Sequence, residues 1–290
     1  MSITVNTNMQ ALRIQSNLNN STSKMNTAME RMSSGYKINS AKDDAAGLAV
    51  STKLSTTISG SKVASDNASI GSDLLSSTEG TLDVIMSNLQ RVRDLTEQAS
   101  NGTYSDEDRA AISKEVTARL DEVVSLAADT TFNGISLFSS SGAGSQGVTL
   151  QIGTKSSSTL NLDSSIFTQF SSGSIGGVNL SGLSSTISAT GSSFVTSSVA
   201  GFLDTLDSAI KNVTTRQTQI GAAQNRLEAI GEGLNVQQTN LKSALSTVRD
   251  ADVAEESASY VQNQILQSAS ASLLTQANSA PQIALTLIKG

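Results

Sequence analysis

The sequence predicts a mainly α-helical, elongated molecule: a rod of long coiled-coil-like helices with a small β-hairpin and loop tip in the middle of the chain, its N- and C-terminal helices pairing at one end. Three observations predict it. Apolar residues recur at alternating spacings of three and four through both ends of the 290-residue chain, and Gly and Ser displace that repeat in the middle. The side chains that usually fill a compact core are scarce: aromatics are 3% of residues, Trp and Cys are absent, and Pro281 is the single proline. A chain without bulky aromatic area reaches stability by burying apolar stripes between long helices.

The elements follow in order. Ala11, Ile14, Leu18, Ser21, Met25, Ala28 and Met32 mark the first helix, and Gly35 is placed to cap its end. Ser40 with Asp43 has capping-box spacing ahead of a second helix carrying Leu75, Thr78, Leu82, Ile85, Leu89, Val92, Thr96 and Ala99. Ser105 with Asp108 has the same spacing ahead of a third. From about 130 to 198 the repeat stops. Asn133-Gly134 between Phe132 and Ile135 is a type I′ turn signal, and the alternating runs 148–152 and 159–162 read as strands or a hairpin.

Stepping from Leu203 by three and four reaches Leu206, Ile210, Val213, Gln217, Ile220, Gln224, Leu227, Gly231, Leu234, Gln238, Leu241, Leu245 and Val248, and ten of these fourteen positions are apolar. That is a 3.5-residue repeat, the mark of a coiled-coil seam. A helix over this span is about 68 Å long, whereas a globule of this chain length is only about 50 Å across. A last helix carries Leu266, Ala269, Leu273, Gln276, Ala280, Ile283 and Leu287, with Pro281 expected to weaken or kink it. Three regions result: 1–44 with 251–290 as a terminal coiled coil, 45–138 with 199–250 as a helical rod, and 139–198 as a short Ser/Gly-rich tip.

Composition also excludes functions. Without His or Cys, no Ser-His-Asp or Cys-His nucleophile can be built, and zinc, copper and haem lose their usual ligands. No cofactor is expected. A formal charge of −6 and a pI near 4.7 oppose a nucleic-acid partner, and no apolar run is long enough to span a membrane. Residues 1–15 lack the basic head and apolar stretch of a cleaved secretory signal, so a chain that leaves the cell needs another route. Asp43, Asp44, Asp250, Asp252, Glu255 and Glu256 resemble a metal or acid–base cluster, but they sit at expected helix starts, where the helix dipole favours carboxylates. Met25, Met29 and Met32 read as a packing seam.

Several blocks together resemble one family. Residues 31–47 (Arg-Met-Ser-Ser-Gly-Tyr-Lys-Ile-Asn-Ser-Ala-Lys-Asp-Asp-Ala-Ala-Gly) are similar to the N-terminal hallmark of bacterial flagellins. Asn88 to Leu95, Thr131 to Gly134, Asp250 to Glu255, Gln264 to Gln267 and Ala277 to Gln282 resemble further blocks, in order and at both ends. The short middle lacks the large outer domains that many flagellins carry, and the end, Leu287-Ile288-Lys289-Gly290, also departs from the common pattern.

The resemblance implies an extracellular filament subunit, not an enzyme, exported unfolded and assembled at the filament tip. Its implied partners are other copies of itself, an export chaperone and the export apparatus, hook-associated and cap proteins, and no membrane insertion. A hook–filament junction protein is the alternative. The terminal helices would carry polymerisation through Ile14, Leu18, Met25, Met32, Leu266, Leu273, Ile283 and Leu287. In vertebrate hosts the family's matching surface is read by the flagellin-sensing Toll-like receptor. That carries onto Gln90, Arg91, Leu95, Glu115 and Arg119, which otherwise read as a solvated or inter-subunit face.

Overall fold

A computed structural model describes residues 7–139, 142–170, 174–175, 178–180, 182–189 and 196–289; the side chains of 174, 175, 196 and 280–289 fall outside the description. Long helices dominate: α1 (Met9–Ser34), α2 (Ala45–Ala99), α3 (Asp106–Asp129), α6 (Thr196–Arg249) and α7 (Val253–Lys289). Between α3 and α6 lie β1 (Thr131–Phe132), β2 (Ile135–Ser136), α4 (Ala143–Gln146), β3 (Val148–Gln151), β4 (Thr159–Leu162), a 3-10 turn (Ser164–Phe167), β5 (Ser174–Ile175), β6 (Val178–Asn179) and α5 (Leu183–Ile187). The chain divides into two compact units, Met1–Ile58 with Thr239–Gly290, and Ser59–Gln238.

Within the first unit, α1 packs along α7. Asn8 caps α1 by accepting from the Ala11 N–H at 3.0 Å, and Gly35, at φ 75°, closes its far end with an N–H to the Arg31 carbonyl. The start of α2 differs from the capping box expected at Ser40. Asp43 accepts from Ser40 N and Oγ at 2.9 and 3.0 Å, which closes a turn instead of a helix. The helix begins at Ala45, and Asp44 caps it by accepting from Gly47 N at 2.9 Å. At the other end, α7 runs through Pro281 to Lys289 without interruption of its helical assignment.

Within the second unit, Leu75, Leu82, Ile85, Leu89, Val92 and Ala99 on α2 are fully buried against Val116 and Val123 of α3 and Leu206, Val213 and Ile220 of α6. Thr78 and Thr96 occupy the same stripe because each hydroxyl donates back to a carbonyl one turn earlier, at 2.8 and 2.7 Å. Two of the three glutamines of the α6 repeat find side-chain partners on α2. Gln217 Nε2 donates to Asp83 Oδ1 at 2.6 Å and Gln224 Nε2 to Glu79 Oε2 at 3.0 Å, so the polar seam positions tie α6 to α2. All fourteen residues of that repeat are buried or half-buried.

The middle segment joins this core. Asn133 and Gly134 both have positive φ, 49° and 79°, in the tight turn that pairs Phe132 with Ile135. Strands β3 and β4 form an antiparallel hairpin with Val148 opposite Leu162. Asn67 of α2 donates to the Gln151 carbonyl at 2.9 Å, and Gly71 leaves room for Leu150, whose Cδ1 would lie 2.3 Å from a Cβ there. Phe138 meets Phe170 edge-on at 5.3 Å, and the buried Arg216 lies over the Phe170 ring while donating to the Thr168 carbonyl at 3.0 Å. Burial lowers the Arg216 pKa to about 10, which still leaves the group charged at neutral pH. Leu137, Leu160, Leu162, Phe167, Leu180, Leu183 and Ile187 all belong to the same apolar cluster as the helices.

Candidate assembly surface

The α1–α7 pair has a part-buried seam and leaves several large apolar side chains exposed. Toward α7, α1 presents Ala11, Ile14, Leu18, Ser21, Met25 and Ala28, all buried or half-buried. Met32 at the end of this row is exposed, with its sulfur 3.7 Å from Ser257 Oγ. The α7 row withdrawn from solvent runs through Glu256, Asn263, Gln267, Ser270, Leu274 and Ala277. This row is offset by one residue from the expected one, so Leu266 and Leu273, 46% and 56% exposed, face away from it. Ile283 and Leu287 lie outside the described side chains.

The inner contacts are largely polar. Gln267 Nε2 donates to Thr22 Oγ1 at 3.1 Å, Asn8 Nδ2 to the Ala277 carbonyl at 2.8 Å, and Arg31 pairs with Glu256 at 3.0 Å. Next to that ion pair, the chain segments after α1 and before α7 form a short antiparallel bridge: Lys37 N donates to the Arg249 carbonyl at 2.8 Å and Ala251 N to the Gly35 carbonyl at 2.9 Å. The Arg249 guanidinium lies over the Tyr36 ring, 4.0 Å from its centroid. None of these partners is close in sequence, and no periodicity marks them, so the residues alone gave no signal for the clasp. Large apolar side chains remain exposed among polar ones on both helices: Met9, Leu12 and Met29 on α1 and Val253, Val261, Ile265, Leu266 and Leu273 on α7.

A second candidate surface lies on α2 and α3. Arg91 Nε donates to Glu115 Oε1 at 2.9 Å, and Arg119 Nη1 to Asn88 Oδ1 at 3.3 Å; Gln90, Arg91 and Arg119 are exposed. Leu95 does not belong with them. It is 2% exposed, because α2 buries the 92/95/96/99 rows together, and its side chain sits in the core.

Of the acidic residues singled out in the sequence, Asp43, Asp44 and Asp252 accept from nearby backbone N–H groups. Asp252 Oδ1 accepts from Ala254 N at 2.8 Å at the start of α7, and Glu256 is taken by Arg31. Hydrogen bonds from the Ser40 backbone and hydroxyl hold the Asp43 carboxyl below its ordinary value of 3.8, and the Ser105 hydroxyl and N–H do the same for Asp108 in the capping box of α3. A pKa lowered by folding gives stability that is full above the unfolded value and is lost as pH falls through the folded one. Asp108→Asn is therefore expected to flatten the fall in melting temperature below about pH 4. An acid decline as steep as the parent's would assign that loss to other carboxylates.

Long helices joined by apolar stripes, with several of their end carboxylates used as caps, define a mainly α-helical protein built on long packed helices. Residues 5–143 match the bacterial flagellin N-terminal helical region and residues 203–288 the bacterial flagellin C-terminal helical region. The chain is 33% identical to Flagellin FlaB1 of Treponema pallidum and 35% identical to a flagellin of Listeria monocytogenes, in each case over 98% of this chain and 99% of the relative. A hook-associated protein of Vibrio parahaemolyticus shares the fold at a TM-score of 0.61 and 19% identity, covering 72% of this chain and 100% of that one. The chain belongs to the bacterial flagellin family. It is a structural subunit of the flagellar filament, an extracellular assembly.

Proposed function

We propose that the subunit polymerises through α1 and α7, that it is exported unfolded with a chaperone, and that its terminal helices complete their folding only on neighbouring subunits at the filament tip. The observation that carries this reading is the set of large apolar side chains on α1 and α7, among them Leu12, Val261, Ile265, Leu266 and Leu273, that an isolated chain leaves in water. Ordering a backbone residue costs about 1–2 kcal/mol, and a buried Leu or Met returns about 1.5–3 kcal/mol. The inner row gives many of its positions to Ser, Ala, Asn and Gln, so contacts made by the exposed apolar side chains supply what the pair itself lacks. Hook-associated and cap proteins, which would meet the same helices at the filament ends, are partners of this reading. A hook–filament junction role is the alternative; the unbroken blocks 33–47 and 88–95 favour the filament subunit.

Sulfate strengthens effective apolar burial. Electron microscopy after sulfate addition is expected to show helical filaments from the full chain and none after deletion of residues 1–35. Persistent monomers in the presence of filament seeds would shift the assignment to a junction protein or a soluble ligand.

The Gln90, Arg91, Glu115 and Arg119 face is proposed as the part read by the flagellin-sensing Toll-like receptor, a reading supported by the adjacency of Arg91 and Glu115 on an exposed surface. Arg91→Ala is expected to lower signalling potency at least about tenfold, the effect of losing one well-placed contact. Full potency in a cell reporter assay would remove Arg91 from that surface.

A further inference from the structure

The chain has no Cys, Trp or His, so its most readily oxidised side chains are its six methionines, and four of them, Met9, Met25, Met29 and Met32, lie on α1. They occupy both sides of that helix. Met9 and Met29 are 55% and 51% exposed. Met25 lies half-buried in the row turned to α7, and the Met32 sulfur faces Ser257 next to the Arg31–Glu256 ion pair. Met86, by contrast, packs half-buried against the core of the other unit.

We infer that the methionines of α1 are an oxidation site that controls whether a subunit can join the filament, the chemical agent being a peroxide. The inference rests on the polymerisation reading above. A methionine thioether attacks the O–O bond of hydrogen peroxide. An S–O bond forms, the O–O bond breaks, sulfur loses two electrons to become the sulfoxide, and the second peroxide oxygen leaves as water. The product is polar and chiral where the helix needs a flexible apolar side chain. On Met9 and Met29 it places S=O groups at exposed positions that neighbours would cover; on Met25 and Met32 it places them in the seam with α7. A free subunit offers these sulfurs to the oxidant, whereas an assembled subunit shields them. Methionine sulfoxide reductases reverse the change, so the block is reversible.

The test treats free chain and sedimented filaments with the same dose of hydrogen peroxide, maps added oxygen by peptide mass spectrometry, and measures elongation of seeds by the free chain. Oxygen is expected on the α1 peptides of the free chain before the Met86 peptide, and little of it on α1 in filaments. Oxidised free chain should elongate seeds at least about tenfold more slowly. Treatment with a reductase pair should restore the rate. The variant with Met9, Met25, Met29 and Met32 all changed to Leu should elongate equally with and without peroxide. Elongation at the untreated rate by oxidised parent chain, or equal inhibition of the Leu variant, would overturn the site. If untreated chain does not elongate seeds at all, the polymerisation reading fails. The oxygen map then decides the site alone, α1 ahead of Met86 supporting it and uniform oxidation overturning it.

Discussion

Replacing Leu266 and Leu273 together by Asp is expected to abolish filament growth while leaving the thermal unfolding of the Ser59–Gln238 unit unchanged. Both side chains are about half exposed on α7, outside the row that α7 turns to α1. Their substitution therefore removes little of what holds the monomer together. In the polymer each buried Leu would return about 1.5–3 kcal/mol, and an unpaired carboxylate in its place adds a desolvation penalty. Two such changes sum to more than about 5 kcal/mol per subunit, over a thousandfold in the concentration needed for growth. Sedimentation of seeded mixtures measures that concentration, and circular dichroism melts check the fold. Filaments at the parent's critical concentration would place the assembly contacts elsewhere on α7.

How the sequence announces these features follows from the strength of each periodic signal. In α2 the row from Leu75 to Ala99 is legible because large apolar residues recur there and most of the intervening positions are polar. In α6, Gln217 and Gln224 keep the repeat readable although they are polar, since acids on α2 receive their amides. The α7 row is misread for a physical reason. Leu266 and Leu273 continue a 3.5-residue repeat of apolar side chains, but the isolated chain turns Asn263, Gln267, Ser270 and Ala277 inward. Periodicity finds the greasier stripe and cannot say whether that stripe meets the same chain or another copy. Leu95 fails in the opposite direction, because α2 is packed on two adjoining rows and a position next to exposed arginines is buried. The elements α4 and α5 and the 3-10 turn, at four or five residues each, are too short to carry a period. The clasp of Tyr36 with Arg249 joins positions whose pairing depends on the tertiary fold alone.

The largest stability effect is expected from Leu89→Ala, set against Leu18→Ala as its counterpart in α1. Leu89 is fully buried between α2 and its neighbours in a cluster of Leu, Ile and Val, where the lost contacts leave a cavity that the surrounding helices cannot close. Such truncations cost about 2–5 kcal/mol, which for a unit of this size lowers the melting temperature by roughly 5–15 °C. Leu18 is only half-buried, in a row that continues through Ser21 and Ala28, so its truncation in the free subunit should cost less than about 1 kcal/mol. The order reverses in assembly: Leu18→Ala should weaken polymer growth while Leu89→Ala leaves it nearly intact at temperatures where the unit is folded. Hydrogen exchange separates the two cases, with slow amides in α2 around Leu89 and fast ones in α1 of the free chain. Fully protected α1 amides in the monomer would mean that the inner row suffices by itself, and folding of the terminal helices would then be independent of assembly.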